Sequence, residues 1–209
     1  IEGMGGQIDD EARHMIVRID ANGKRLLALI NDILDVAKIE SGRLELVEEP
    51  LNMMELSDQW KQQMSVLAER SNLDFEISVA PDFPSLIYGD SQRITQIITN
   101  LLSNAFKFTK AGKVKLEISR NPEKWTARVI DTGIGIPPHA LNFIFEEFRQ
   151  VDGSSKREFG GTGLGLAIVR NLCRSMGGSV SVISELEKGS TFTVQLPLRT
   201  ESVSAIKAP

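Results

Sequence analysis

The sequence predicts an α+β chain in which a long helix of the coiled-coil or bundle type precedes a two-layer α/β sandwich, a mixed sheet with helices on one face. Two observations lead to this class. Apolar residues recur at helical spacing over residues 8–38. Beyond residue 42, helical segments interleave with hairpin-like strand pairs, without the regular alternation of βαβ units. The predicted divisions are the helix at 7–42, the sandwich at 43–199 and a polar linker or tail at 200–209.

The first helix carries an unbroken heptad register of seam positions. These positions are Ile16, Ile19, Gly23, Leu26, Ile30, Ile33 and Ala37. Leu27, Leu29, Leu34 and Val36 widen this stripe beyond what a two-stranded coil requires. We therefore expect a four-helix bundle completed by a second copy, by a partner helix or by both. The alternative is a helix folded against its own globular domain.

Capping residues and hydrophobic periodicity predict the elements that follow Ser41-Gly42. In chain order they are a strand at 43–49, a helix from Asn52 to about Arg70 and a strand at 73–79, then a helix from Asp90 or Ser91 to about Phe108, paired strands at 114–119 and 125–130, a helix at 162–176, and strands at 179–184 and 191–198 joined by a polar turn.

Composition excludes several classes of protein. Lys and Arg total 24 and Asp and Glu total 28, so the formal charge of −4 has the wrong sign for a chain built around duplex DNA. No apolar run approaches the ~20 residues that a membrane helix needs. The single cysteine, Cys173, cannot form an internal disulfide, which favours a reducing, cytoplasmic compartment.

The helix at 91–108 has a polar stripe beside its apolar one. Gln96, Asn100, Asn104 and Lys107 follow each other at steps of four, four and three. A solvated helix face would explain this stripe if the helix stood alone. An asparagine oxygen is also a suitable hard ligand for Mg²⁺ that nucleotide phosphates already neutralise, and a lysine one turn later could meet a phosphate as a point charge.

Two glycine-rich segments come later in the chain. Asp131 ends a strand and opens DTGIGIP, where the carboxylate could accept the exocyclic amine of adenine and the glycines could admit the base. A tight turn would explain these glycines equally well. GGTGLGL at 160–166 leads directly into a helix, whose first-turn N–H groups suit a phosphate. The stretch 138–159 between them, anchored by Phe145 and Phe148, has the profile of a lid.

The order of these segments resembles the catalytic ATP-binding domain of sensor histidine kinases. DSQRITQIITNLLSNAFKFT looks like their N box, DTGIGIP like their first glycine box, FEEFRQVD like their F box and GGTGLGLAIV like their second glycine box. The preceding helix, which ends LINDILDVAKIESGRLEL, resembles the second helix of the dimerisation and phosphotransfer bundle, particularly in hybrid members. The implied fold is the ATPase fold that histidine kinases share with related chaperones.

The resemblance implies roles for the polar stripe. Asn104 would ligate Mg²⁺, and Asn100 would line the phosphate site and act as the catalytic residue that helps to orient the acceptor. Lys107 would contact phosphate, with Phe108 beside the nucleotide.

The resemblance also implies roles for the glycine-rich segments and the lid. Asp131 would accept the adenine amine in a pocket shaped by Gly133, Gly135 and Ile136. Arg157 would reach toward phosphate from the lid, and Thr191 would support adenine through water. The hinge of the lid over the triphosphate would consist of Gly161, Thr162, Gly163, Leu164 and Gly165.

The function implied by this resemblance is that of an ATP-dependent protein histidine kinase. Mg-ATP would donate its γ-phosphoryl group to a histidine on a homodimeric bundle, for relay to an aspartate of a response-regulator receiver domain. The family's acceptor motif, similar to HELRTPL, is not found around His14 or His139, so we expect this chain alone to bind nucleotide without autophosphorylation. Any membrane attachment would lie outside the chain.

Two alternatives with the same fold are an ATP-driven conformational module and a non-catalytic signalling scaffold. The heptad helix and the F box argue against the module. The intact asparagines, aspartate and glycines argue against the scaffold.

Overall fold

A 31-residue helix, α1 (Asp10–Glu40), begins the part of the chain that this computed structural model describes, which is residues 9–149 and 163–200. Asp9 caps the helix by accepting a hydrogen bond from the Ala12 amide at 2.7 Å, and acidic residues in its first turn complement the helix dipole. The chain turns away after Ser41 at Gly42, whose φ of +65° is a conformation that glycine adopts without strain. The helix predicted from the heptad register is therefore present.

The other elements agree with most of the predicted segments. The further helices are α2 (Met53–Ser71), α3 (Ser91–Phe108) and α4 (Gly165–Ser175). The strands are β1 (Glu49–Leu51), β2 (Asp74–Val79), β3 (Ile87–Gly89), β4 (Lys113–Arg120), β5 (Lys124–Asp131), β6 (Ser179–Glu185) and β7 (Gly189–Pro197). Among the described helices, none is long and apolar enough to cross a membrane.

Five strands form a mixed sheet in the order β2-β4-β5-β7-β6. The β2–β4 pair is parallel and the other pairs are antiparallel. Alternate residues of β5, from Trp125 to Asp131, are buried beneath the helices, whereas their neighbours Thr126, Arg128 and Ile130 are not. The predicted mixed sheet with helices on one face is confirmed.

Helix α3 lies at the centre of the core. Asp90 caps it through a hydrogen bond from the Arg93 amide to Oδ1 at 2.9 Å, and its apolar stripe, including Ile98 and Leu102, is fully buried. Helix α2 packs beside it, with Trp60 donating from Nε1 to Thr95 Oγ1 at 3.1 Å. This packing holds the polar stripe of α3 in a fixed direction.

Several predicted details are wrong. The strand expected at 43–49 occurs instead at Glu49–Leu51, where it pairs with the unpredicted strand β3. In α2, Leu67 is exposed, whereas its neighbour Ala68 is buried. The lid anchor Phe145 packs partly against the core, but Phe148 is 67% exposed.

Helix α1 uses two different surfaces. Its heptad seam residues, such as Ile19, Ile30 and Ile33, are exposed. Near its C-terminus, Val36 is buried in the core of the following domain and Ile39 packs against that core, so that α1 contacts α4. The end of α1 is therefore folded onto its own domain, while a bundle through the seam stays a prediction.

Candidate functional site

The polar stripe of α3 forms one side of the candidate site. Asn100, Asn104 and Lys107 are all partly exposed. A Cβ placed on Gly165 would lie 3.6 Å from Asn100 Oδ1, which puts the backbone at the start of α4 directly beside this asparagine. Leu164 occupies the N-cap position of α4 and provides no side-chain cap. The first turn of α4 therefore presents its N–H groups and the positive end of the helix dipole next to an amide side chain.

The C-terminal turn of α3 connects this polar stripe to the first glycine-rich segment. The Lys107 ammonium lies over the Phe108 ring, 4.7 Å from its centroid, a cation–π contact that orients the lysine. The Phe108 carbonyl accepts a hydrogen bond from the Ile134 amide at 3.1 Å. The eight residue-to-residue steps from Asn100 to Phe108 correspond to about 12 Å along the helix axis.

Asp131 stands at the end of β5 with a fixed orientation. Its Oδ1 accepts hydrogen bonds from the Gly133 amide at 2.9 Å and the Ser190 amide at 3.3 Å. Oδ2 accepts no hydrogen bond from the described part of the chain. Burial raises the pKa of this carboxyl, and the two backbone donors partly offset the rise. A desolvated carboxylate with one uncommitted oxygen is well suited to accept a hydrogen bond from a ligand amine.

The glycines after Asp131 are required by contacts within the protein. A Cβ on Gly133 would lie 2.3 Å from the Phe108 carbonyl oxygen, and one on Gly135 would lie 2.0 Å from the Glu185 carbonyl oxygen. Gly135 also has a φ of +68°. The missing side chains of these glycines let three backbone segments meet next to Asp131. The approach of a base to the same glycines stays a prediction.

Two serines close to Asp131 were not predicted from the sequence as part of the site. Ser184 Oγ accepts from the Ile136 amide at 2.8 Å, lies 3.0 Å from Ser190 Oγ and donates to the Gly189 carbonyl at 2.9 Å. Ser190 is buried and lies opposite Asp131 in the strand register. These hydroxyls link the ends of β6 and β7 next to Asp131.

Thr191 does not lie with Asp131. Its register partner is Ile130, so strand alternation places it on the face of the sheet away from the helices, whereas Ser190 shares the face of Asp131. Ser190, and not Thr191, is therefore the residue of β7 that lies beside Asp131. The sequence offers one signal for this assignment. Phe192 is a large apolar residue that is buried, and it lies two positions after Ser190, so the two side chains share the same face of the sheet.

The lid and its hinge are only partly described. Arg157, Gly161 and Thr162 lie outside the described residues. Gly163 has a φ of +72°, and its carbonyl accepts a hydrogen bond from the Phe148 amide at 3.1 Å. The described segments that end at residue 149 and begin at residue 163 therefore contact each other here. Leu164 is fully buried. Gly163, Leu164 and Gly165 therefore lie between this contact and Asn100.

The arrangement has one polar feature at each end. An amine acceptor, Asp131, lies at one end, and amide, ammonium and helix N–H groups lie along α3 and at the start of α4 at the other. Within the described residues, no three His, Cys, Asp or Glu side chains converge on a cation. A divalent cation would therefore need further oxygens from the ligand, which fits a metal bound together with phosphates and an amide oxygen such as that of Asn104.

The chain is similar to known proteins in both sequence and fold. A family model described as histidine kinase-, DNA gyrase B- and HSP90-like ATPase matches residues 89–200. The hybrid signal transduction histidine kinase B of Dictyostelium discoideum is 37% identical over 195 residues, which are 91% of this chain and 10% of that protein. The chain therefore spans about a tenth of the length of this curated relative.

Two solved structures extend the similarity to the fold. Full-length ShkA in complex with AMPPNP superposes with a TM-score of 0.82 at 34% identity, covering 95% of this chain and 41% of the other. The mycobacterial sensor histidine kinase MprB superposes with a TM-score of 0.60 at 30% identity, covering 73% of this chain and 99% of the other.

Proposed function

This chain belongs to the histidine kinase family of two-component systems and contains its ATP-binding domain, and we propose that it binds Mg-ATP and transfers the γ-phosphoryl group to a histidine of the bundle that α1 helps to form. The observation that carries this proposal is the alignment of Asp131, the polar stripe of α3 and the start of α4 along one site. The phosphohistidine would then supply the aspartate of a receiver domain.

Asp131 provides the adenine end of the site. Its Oδ1 is held by two backbone amides, so Oδ2 keeps one direction and accepts the 6-amino group. Because this carboxylate is buried, the hydrogen bond forms in a medium where it is stronger than in water. The contact between the Ser184 and Ser190 hydroxyls keeps the adjacent ends of β6 and β7 in register beside Asp131.

The phosphate end is provided by α3 and α4. Asn104 would hold Mg²⁺ through its amide oxygen, and Asn100 would lie against the transferred group beside Gly165. Lys107 adds a positive charge that phosphate oxygens attract. When bound, Mg²⁺ would neutralise charge on the phosphates. Catalysis of this kind depends mainly on positioning and on electrostatic stabilisation, with no covalent intermediate on this domain.

A titration with ATP by calorimetry, with and without Mg²⁺, tests the binding step. Asn104→Ala should abolish the dependence of affinity on Mg²⁺, whereas Asn31→Ala, at an exposed asparagine of α1, should leave it intact. Transfer is tested with radiolabelled γ-phosphate and an added bundle fragment that contains an acceptor histidine. Binding without transfer would favour a conformational ATPase, and a folded chain that binds no ATP would favour a scaffold.

A further inference from the structure

The two outer strands of the five-stranded sheet differ in their protection against pairing with another chain. Within the described residues, β2 and β6 each have a strand on one side only. Strand β2 carries exposed carboxylates at Asp74 and Glu76, and charged side chains on an outer strand oppose the addition of a further strand. Strand β6 has no proline and a single charged residue, Glu185, at its last position. The edge at β6 therefore lacks the charges that protect the edge at β2.

Strand β6 is also regular along its whole length. Each of its seven residues pairs with a residue of β7 in one continuous register, without a bulge. Bulges bend and twist a strand locally, and they are a common means of preventing further pairing at an edge. On the outer side of β6, the backbone N–H and C=O groups have no strand partner in the described part of the chain. The backbone of β6 is therefore in a conformation that accepts a further strand.

The centre of β6 has apolar side chains on both faces of the sheet. Val180 and Val182 pack partly against the core and leave part of their surface accessible at the edge. Ile183 pairs with Thr191 on the face away from the helices. It is 80% exposed, more than any other large apolar side chain in the described part of the chain. A single exposed apolar residue is ordinary, but this one lies on the unprotected strand beside two valines that are only partly covered.

The sequence of β6 is complementary to a second copy of itself. We consider two β6 strands that run antiparallel and cross at Val182. The opposed pairs are then Val182 with Val182, Ser181 with Ile183, Val180 with Ser184 and Ser179 with Glu185. Glu185 meets a neutral serine in this register, so no like charges are opposed. The two Ile183 side chains become diagonal neighbours at about 7–8 Å, which is within reach of long side chains.

We propose that β6 pairs with β6 of a second copy of this chain, so that two five-stranded sheets join into one continuous sheet. A two-fold axis at Val182 makes the contact self-complementary, as the interfaces of most homodimers are. The charge pattern favours a second copy over a charged partner strand, because β6 offers no countercharge before Glu185. The contact is separate from a bundle formed through the seam of α1, and it does not depend on the function proposed above.

Sedimentation velocity of the whole chain tests this contact. Leu26→Glu with Ile30→Glu, at exposed positions of the α1 seam, removes association through a bundle, and this seam variant should still convert from monomer to dimer as its concentration rises. Adding Ile183→Glu removes an apolar contact and makes two carboxylates diagonal neighbours, so the dimer should weaken about fivefold or more. Val66→Glu, at a half-exposed position of α2, is the matched control and should leave the dimer unchanged. A seam variant that stays monomeric at every concentration overturns the proposal, as does an equal effect of Val66→Glu.

Hydrogen–deuterium exchange of the seam variant identifies the edge that is used. Exchange of the β6 amides should slow about fivefold or more as the concentration rises, whereas exchange in β2 should stay constant, because pairing covers N–H groups on β6 only. Ile183→Glu should remove this dependence on concentration. A dimer in which β6 exchanges as fast as in the monomer joins through another surface and overturns the proposal. Neither result changes with ATP affinity, so a failure of the proposed function is recognised separately by calorimetry.

Discussion

Replacing Asp131 by asparagine separates the role of this residue in nucleotide binding from its role in the fold. The Gly133 and Ser190 amides both donate to Oδ1. An asparagine would keep its carbonyl oxygen at that position, because the alternative would direct its NH₂ group at two N–H donors. The NH₂ group would then replace Oδ2, and a hydrogen-bond donor would face the donor amine of adenine.

The magnitude follows from this exchange of acceptor for donor. A hydrogen bond to a charged group contributes about 1.5–3 kcal/mol, and an unpaired buried donor costs about 1–3 kcal/mol. We therefore expect ATP affinity to fall by about 3 kcal/mol or more, which is a factor of about 150 in Kd. Burial raises the pKa of Asp131, so ionising this carboxyl costs more free energy in the folded chain than in the unfolded chain. The free energy of unfolding of Asp131→Asn should equal or exceed that of the parent chain.

Calorimetric titration and urea unfolding of Asp131→Asn measure the two quantities. Asp58→Asn, at an exposed position of α2, is the matched control and should change neither. Inosine triphosphate adds a direct check, since its 6-keto oxygen accepts from the asparagine NH₂, and the variant should prefer it to ATP. A folded variant that binds ATP as tightly as the parent, or that loses all purine nucleotides equally, would refute the assignment of Oδ2.

Four further outcomes follow from the same structure. Gly135→Ala should destabilise the fold by more than Gly42→Ala in urea unfolding, because both have positive φ but only the first places a Cβ 2.0 Å from a carbonyl oxygen. As the pH is lowered, ATP affinity should begin to decline at a pH above the ordinary aspartate range, because the raised pKa of Asp131 makes it protonate there. The difference in ATP affinity between the parent chain and Asp131→Asn should vanish at low pH, and a difference that stays constant with pH in calorimetric titrations would contradict this. Burial raises the pKa of Cys173 to about 12, so iodoacetamide should label it only at the rate of unfolding, as mass spectrometry can follow. Phe148→Gly should raise the free energy of unfolding by about 1 kcal/mol, since a φ of +57° strains phenylalanine.

Local signals were sufficient to predict most helices and strands. The caps at Asn52 and Asp90 and the apolar stripe of α3 each lie within a few residues of the element they define. Strand β3 has no such signal. It is three residues long and depends on pairing with β1, in which Glu49 pairs with Gly89 and Leu51 pairs with Ile87, 40 and 36 positions later. The predicted strand at 43–49 was misplaced for the same reason, because only that pairing decides where β1 begins.

Residues of the candidate site that lie in a sequence motif could be predicted. The face of the sheet toward which each side chain points could not. Asp131 and Asn100 were predicted as site residues from their motifs, but choosing between Ser190 and Thr191 required the register of β7 against β5. A shift of one residue in a strand reverses the face of every side chain. Similarly, the heptad pattern counted Val36 with the bundle, whereas it is buried in the following domain. A pattern along one helix does not say which of two partners covers each face.

Helix α3 determines how these parts act together. Its first turns contact α1 through Arg93 and Gln96, and its middle presents Asn100. At its end, the Phe108 carbonyl accepts a hydrogen bond from the Ile134 amide, three residues after Asp131. Because its apolar side is closely packed against the sheet, the helix moves as a rigid body and not residue by residue. Any displacement of the domain relative to α1 must therefore carry the whole site along.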